Sequence, residues 1–208
     1  MKLIVITGPS GSGKTILSNK LSRLLNDTLV VRTDSYYRDD NITKLSSKFL
    51  YDIYDRLISI KRKELLLTLK SIFNKEESIT FTDYDFKSKL STQSLKFMQY
   101  NKFIILEGIF AHRLNINYKD TINILCTENK EICYQRRLDR DQLERGRDKK
   151  EIRKRFNKSW HLYFKHIDTY KNNNNVILLN PSDSKSYEKL ISRFSKKSNN
   201  IKNQWKYN

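Results

Sequence analysis

Residues 8–15 read GPSGSGKT, and the reading of this stretch decides the fold. Lys2–Thr7 (KLIVIT) precedes it, a short β-branched run that predicts a buried strand. Lys14–Leu25 follows, with Ile16, Leu17, Leu21, Leu24 and Leu25 at helical spacing. Each part of the loop has a physical task. Glycine at 8, 11 and 13 permits backbone angles closed to other residues and lets the main chain approach an anion. The N–H groups of Gly11, Ser12, Gly13 and Lys14 can then point at phosphate oxygens, where the helix also presents its positive end. Lys14 is placed to reach the β/γ-phosphates, and the Thr15 hydroxyl to ligate Mg²⁺. Gly8, Ser10, Gly11, Ser12, Gly13, Lys14 and Thr15 are therefore the expected contacts of ATP–Mg²⁺. A chance glycine-rich turn would require neither the strand before nor the amphipathic helix after.

Strands continue to alternate with helices outward from this loop. Thr28–Thr33, Phe103–Leu106, Thr121–Cys126 and Val176–Leu179 are short apolar runs that read as buried strands. Leu57–Phe73 fits one long helix, Lys130–Leu138 opens another, and Glu151–Tyr170 and Ser184–Phe194 add two more. Ser78–Phe86 alternates as a strand or hairpin arm, and Leu90–Tyr100 reads as a short helix. The pattern predicts an α/β, three-layer fold built on a phosphate-loop NTPase-like scaffold. Its mostly parallel, five-stranded sheet is flanked by helices, with a small β-hairpin subregion for the acceptor. One domain is expected over residues 1–195, followed by a loose tail at 196–208.

Composition narrows the setting. Hydrophobic residues make up 38% of the 208 and charged residues 31%, which reads as a soluble globular chain. No apolar run is long enough to span a bilayer, and Leu3–Ile6 is too short for a secretion signal, so a cytoplasmic protein without membrane contact is expected. Cys126 and Cys133 read as structural thiols in a reduced compartment, and the three histidines do not fall at a zinc spacing with them. The net charge of +18 favours polyanionic partners, meaning nucleic acid or phosphorylated small molecules. Residues 136–208 carry 20 Lys+Arg against 8 Asp+Glu, so +12 of that charge lies in the last third.

In a parallel sheet, reacting groups gather beyond the carboxyl ends of the strands. Asp34 follows the second strand and Glu107 closes the third. Phosphoryl transfer needs a carboxylate for the metal and another to take the acceptor's proton. Asp34 is assigned as base and Glu107 to the metal. The competing readings are the same two roles exchanged, a helix cap for Asp34 and an arginine partner for Glu107. Residues 136–147 read RRLDRDQLERGR: Arg137 and Arg140 share a helix face, and Arg145-Gly146-Arg147 breaks the helix. A basic, glycine-broken segment suits a lid over a transferring phosphoryl group, at about 139–150. A solvated helix of alternating charge, or a nucleic-acid surface, would share this composition.

The loop GPSGSGKT, the block DSYYR (34–38), YDF (84–86), EGIF (107–110) and RRLDRDQLERGRD (136–148) together resemble the uridine kinase family of nucleoside kinases, within the phosphoribulokinase/uridine kinase group. The resemblance spans roughly residues 2–180. It implies transfer of the γ-phosphoryl of ATP to the 5′-hydroxyl of uridine or cytidine. It implies that Asp34 is the base, that Tyr37 lies near the nucleoside, that Asp52 holds ribose hydroxyls, and that Tyr84 and Phe86 flank the pyrimidine. Thr15 and Glu107 fall on the magnesium side. Arg137 falls near the ribose, with Arg140, Arg145 and Arg147 at the phosphates. A homo-oligomer is also implied.

Two departures concern the base-reading half. Tyr51-Asp52-Ile53-Tyr54 replaces the family's phenylalanine-aspartate-histidine-proline, and Lys89 stands where members carry a base-contacting histidine. Lys89 only donates hydrogen bonds, whereas a neutral histidine also accepts. Another small acceptor, such as a phosphosugar or a modified nucleoside, is the alternative these changes motivate. A non-catalytic nucleotide- or nucleic-acid-binding relative is the third reading. Retention of Lys14, Asp34 and Glu107 together argues against it.

Overall fold

A computed structural model describes residues 1–41, 43, 45, 56–99, 101–116, 118–172, 175–192 and 194. Its centre is a five-stranded parallel sheet in the order β2-β5-β1-β6-β7. The strands are β1 (Lys2–Thr7), β2 (Thr28–Arg32), β5 (Phe103–Glu107), β6 (Thr121–Cys126) and β7 (Val176–Leu179). The interior of the sheet is closed to water, with Leu3, Ile4, Ile6, Ile104, Ile105 and Leu106 fully buried. A parallel sheet covered on both faces asks for such near-continuous apolar strands.

Among the described residues, four long helices pack around it: α1 (Lys14–Leu25), α2 (Arg62–Phe73), α3 (Lys130–Arg145) and α4 (Lys149–Lys171). Residues 184–192 are also helical. One core gathers α1 and the 184–192 helix against Ile4, Ile6, Ile105 and Ile124. The other gathers α2 and the hairpin residues Ile79 and Tyr84 against Leu3, Val5, Ile104 and Leu106. The alternation of odd and even strand positions between two cores is the period-two geometry of a strand.

The structure corrects two local expectations and extends a third. The helix expected from Leu90 onward is a strand instead: β4 (Leu90–Phe97) pairs antiparallel with β3 (Ser78–Asp85), Ser78 opposite Phe97 and Tyr84 opposite Ser91. All of β4 except Ser91 is exposed, so no burial pattern marks the strand, and its ladder to β3 holds it instead. The expected helix Leu57–Phe73 is broken, because Ile60 is extended and bridges to Tyr37. The regular helix starts only at Arg62. The helix opened at Lys130 runs on to Arg145, where Gly146 takes a left-handed φ of 60° as its C-cap. Asp148 then caps α4 by accepting from the N–H groups of Lys150 and Glu151.

Candidate active site

Sheet order brings the site together. Arg32 of β2 and Ile6 of β1 lie in register on either side of Glu107 at the end of β5. Beyond those ends emerge the turn carrying Asp34, the carboxylate of Glu107 and the phosphate loop. Gly108 permits the close approach of two of them. A Cβ there would sit 1.9 Å from Thr33 Oγ1, so only glycine lets the end of β5 lie against the turn after β2.

The phosphate loop wraps the start of α1, whose N-cap Gly13 has φ 86° and no side-chain cap. The first-turn N–H groups are thus left to an outside acceptor. A Cβ at Gly11 would come within 2.3 Å of the Cys133 carbonyl oxygen, and one at Gly8 within 2.6 Å of Ser12 Oγ. Lys14 is 8% exposed, and its Nζ donates to the Pro9 carbonyl at 2.9 Å, curled over the loop. The Thr15 hydroxyl donates to Glu107 Oε1 at 3.0 Å. Glu107 also lies 3.6 Å from Arg32 Nε, so the arginine partner considered from sequence exists alongside the threonine contact. Burial pushes the Glu107 carboxyl above its ordinary range, against the pull of Lys14.

Asp34 sits inside a short 3₁₀ turn, Thr33–Tyr36, rather than at its cap, which is Arg32. Its Oδ1 accepts from the Tyr37 hydroxyl at 3.3 Å and the Thr33 hydroxyl at 3.4 Å. Tyr37, Tyr84 and Phe86 form a mutually edge-on aromatic group with centroids 5.3–5.9 Å apart. Arg145 lies over the Phe86 ring at 4.1 Å.

The arginine segment is not a solvated helix. Asp141 is fully buried, and Arg137, Arg140, Arg145 and Arg147 all lie within 3.6 Å of its carboxylate. Burial alone would raise the Asp141 carboxyl, but the attraction of Arg140, Arg145 and Arg137 outweighs it and holds the group below its usual value. Arg145 and Arg147 are themselves lowered, first by burial.

A single cleft of about 340 Å³ is lined by Ser10, Gly11, Gly13, Lys14 and Thr15 on one side. Asp34, Tyr37, Tyr84, Phe86, Lys89 and Glu107 line the other, with Arg137, Arg140, Arg145 and Arg147 above. Gly8 and Ser12 do not line it, and the Ser12 side chain is fully buried. Asp52 lies outside the described residues.

Sequence reasoning passed over four cleft residues, Ile16, Ile109, Arg136 and Arg155. Arg136 donates to the Gly11 carbonyl at 3.2 Å and to Ser182 Oγ at 2.8 Å, joining the phosphate loop to the segment after β7. It adjoins Arg137 in the quoted block, but only a fold could show which way each points. The central role of Asp141 was also missed, although its spacing from four basic residues was visible.

Sheet order, phosphate loop, strand-end carboxylates and arginine cluster define a P-loop kinase, an enzyme transferring a phosphoryl group from a nucleotide to an acceptor hydroxyl. Residues 3–185 match the Phosphoribulokinase / Uridine kinase family, and the chain belongs to that family. It is 27% identical over 164 residues to the uridine kinase of Pasteurella multocida (strain Pm70), covering 76% of this chain and 75% of that one. With the uridine kinase of Borrelia duttonii (strain Ly) it shares 31% over 150 residues, covering 71% and 70%. Among solved structures, a provisionally assigned fructose transport system kinase from Silicibacter sp. TM1040 aligns with a TM-score of 0.64 at 16% identity, over 86% of this chain and 89% of that one. A Bacillus stearothermophilus protein, provisionally a uridine kinase, aligns at 0.57 and 16%, over 85% and 88%. At that identity the two structures speak for the fold alone.

Proposed function

We propose that this chain phosphorylates the 5′-hydroxyl of uridine or cytidine, using ATP and Mg²⁺. The observation that carries the reading is the shared cleft: a phosphate loop faces a carboxylate and three aromatic rings across one cavity. Aromatic faces suit a planar base, and an acid beside them suits a hydroxyl to be deprotonated. Uridine kinases among the relatives support the choice of acceptor. Residues 1–195 act in this reading as one kinase domain, with a lid at about 139–150.

The residues fit a magnesium ion. The Thr15 hydroxyl oxygen and the Glu107 carboxylate stand side by side at 3.0 Å, a pair of hard oxygen ligands. Among the described residues no group of three or more His, Cys, Asp or Glu could hold a metal, which suits an ion that takes its other ligands from phosphate and water. When bound, Mg²⁺ neutralises charge on the β/γ-phosphates.

The chain's own residues divide the remaining work. Loop N–H groups from Gly11 to Lys14 hold the phosphates. Lys14 leaves the Pro9 carbonyl to reach the terminal ones. Asp34 accepts the proton of the acceptor hydroxyl as that oxygen attacks, and Tyr37 orients the carboxylate. Arg140, Arg145 and Arg147 meet charge on the transferring group and exclude water, Arg137 lies toward the ribose, and Arg145 also covers the Phe86 ring of the aromatic wall.

A second acceptor class is favoured by Lys89, a donor-only cation in the cleft: a hydroxyl compound with its own anionic group. ATP consumption with Mg²⁺ against uridine, cytidine, adenosine, ribulose 5-phosphate and no acceptor separates the readings, with Asp34→Asn alongside. Turnover that needs uridine or cytidine and collapses in Asp34→Asn supports the nucleoside kinase. Turnover with ribulose 5-phosphate alone would replace it with the second reading.

A further inference from the structure

The aromatic wall of the cleft stands on a hairpin that belongs to neither layer of the main sheet. Among the described residues, β3 and β4 pair only with each other. The middle of the hairpin is tied to α2: the Thr68 hydroxyl donates to the Thr80 carbonyl at 2.9 Å, and the Thr82 hydroxyl to Glu64 Oε2 at 3.2 Å. These anchors lie away from the turn that presents Phe86 and Lys89.

A separate cluster holds the end near the turn. Lys61 Nζ lies 2.9 Å from Asp39 Oδ1. Asp39 Oδ2 accepts from the Ser91 hydroxyl at 2.7 Å and from the Ser91 N–H at 3.1 Å. Lys61 Nζ donates in turn to Ser91 Oγ, closing a triangle. The protons balance: the one hydroxyl proton of Ser91 goes to the carboxylate, and its oxygen receives the ammonium. The Lys61–Asp39 pair is half-buried, with side chains 20% and 27% exposed.

Position gives the triangle its meaning. Ser91 is the residue directly opposite Tyr84 in the hairpin ladder. Tyr84 meets Tyr37 edge-on at 5.6 Å. Asp39 continues the strip that carries Asp34 and Tyr37, and that strip is bonded by backbone to the residues before α2. Lys61 N–H donates to the Tyr36 carbonyl at 2.7 Å, and Arg38 N–H to the Ser59 carbonyl at 2.7 Å. One carboxylate thus joins the base-bearing strip, the entry to α2 and the strand opposite the cleft tyrosine. The side-chain bonds draw the Asp39 carboxyl well below the usual carboxylate range, first those from Lys61 and Ser91.

We propose that Asp39, Lys61 and Ser91 form a positioning clasp that fixes Tyr84 and Phe86 against Tyr37, and so sets affinity for the acceptor without acting on the nucleotide half. The proposal rests on the nucleoside-kinase reading for its acceptor, and none of the three residues lines the cleft. Releasing the clasp lets the aromatic wall drift from the Asp34 strip while the Glu64 and Thr68 anchors keep the hairpin folded.

The test is steady-state kinetics of the full chain with hydrogen exchange read in parallel. Asp39→Asn and Ser91→Ala are expected to raise the acceptor KM about tenfold, as loss of a charged hydrogen bond implies, with kcat and the ATP KM within about twofold. Ser91→Thr, which keeps the hydroxyl, is expected to restore the acceptor KM. Backbone amides of residues 84–91 should exchange faster in Asp39→Asn, while those of β1 and β5 do not change. An unchanged acceptor KM with unchanged exchange at 84–91 overturns the clasp. A parallel rise in both KM values with a lower unfolding midpoint also overturns it, since the cluster would then only hold the fold. If wild-type protein turns over neither uridine nor cytidine, the proposed function fails, and exchange at 84–91 alone decides whether the clasp exists.

Discussion

Arg140 grips the buried carboxylate of Asp141 with two nitrogens, Nε at 2.9 Å and Nη2 at 2.8 Å from Oδ1. The opposite oxygen, Oδ2, accepts from Arg147 Nη1 at 2.9 Å. One negative charge therefore holds several positive ones that would otherwise repel each other in a partly dry site. Asp141→Asn keeps the shape and removes the charge. Breaking a buried ionic cluster by removing one partner costs about 3–5 kcal/mol, so the urea midpoint of the variant should fall by a matching amount. Turnover should fall more steeply than the fraction folded, because dispersed arginines no longer meet the transferring group. A variant with wild-type midpoint and wild-type kcat would show that Asp141 organises nothing.

If Glu107 holds Mg²⁺ as proposed, the metal dependence of turnover should be sensitive to pH. Its carboxyl is raised first by burial, so folding shifts it toward the neutral form, whereas a cation needs the ionised one. Protons and Mg²⁺ should then compete: the Mg²⁺ concentration for half-maximal rate rises as pH falls through the raised value. The sign for stability is opposite. Without metal, the folded state binds a proton that the unfolded chain releases, so falling pH stabilises the metal-free protein across that window. Glu107→Gln should flatten both dependences, which a magnesium titration and thermal melts across a pH series would read.

Two glycines with left-handed backbones separate strain from collision. Gly146 has φ 60° and nothing within 4 Å of an added Cβ, whereas Gly11 has φ 86° and the Cys133 carbonyl at 2.3 Å. Gly146→Ala should cost about 1–2 kcal/mol from backbone strain alone. Gly11→Ala adds a main-chain clash, so the loop must move, and nucleotide binding measured by calorimetry should be lost. Equal effects of the two substitutions would remove the close approach of α3 as the reason for glycine at 11.

Most of the framework around the phosphate loop was legible because its determinants are local. GPSGSGKT, the strand before it and the helix after it are contiguous, and Lys14–Leu25 runs as its periodicity predicts. The ends of β2 and β5 could be read from short apolar runs that stop at a polar residue. β4 was not legible, since Leu90–Phe97 buries almost nothing and has no period to betray it. Nor was the break at Ile60, which depends on Tyr37, a residue far off in sequence. The hub at Asp141 was hidden for a different reason. Spacing places charges on a helix face, but burial turns alternating charge into a cluster, and burial comes from the neighbouring helix α4, whose Ser159 hydroxyl accepts from Arg137 at 2.8 Å.

His112 should make the site fragile in acid. The Thr7 hydroxyl donates its one proton to the Ile109 carbonyl at 2.7 Å and lies 2.9 Å from His112 Nδ1. Nδ1 must therefore carry the hydrogen, leaving Nε2 as the bare nitrogen, and Nε2 is buried with no hydrogen-bond partner among the described residues. Burial, then the charges of Arg113 and His166, depress the imidazole from 6.5 to about 4. A depressed histidine favours the folded state while neutral, so its contribution is complete above 6.5 and is lost as pH falls from 6.5 toward 4, where the unfolded chain binds the extra proton. Thr7 and Ile109 flank the phosphate loop and Glu107, so the loss reaches the site directly. His112→Asn retains a donor toward Thr7 but does not titrate. Urea midpoints at a series of pH values from 7 to 4 should fall for the wild type and fall less for the variant. Identical slopes would mean that the acid sensitivity arises elsewhere and that the Thr7–His112 contact does not link protonation to the site.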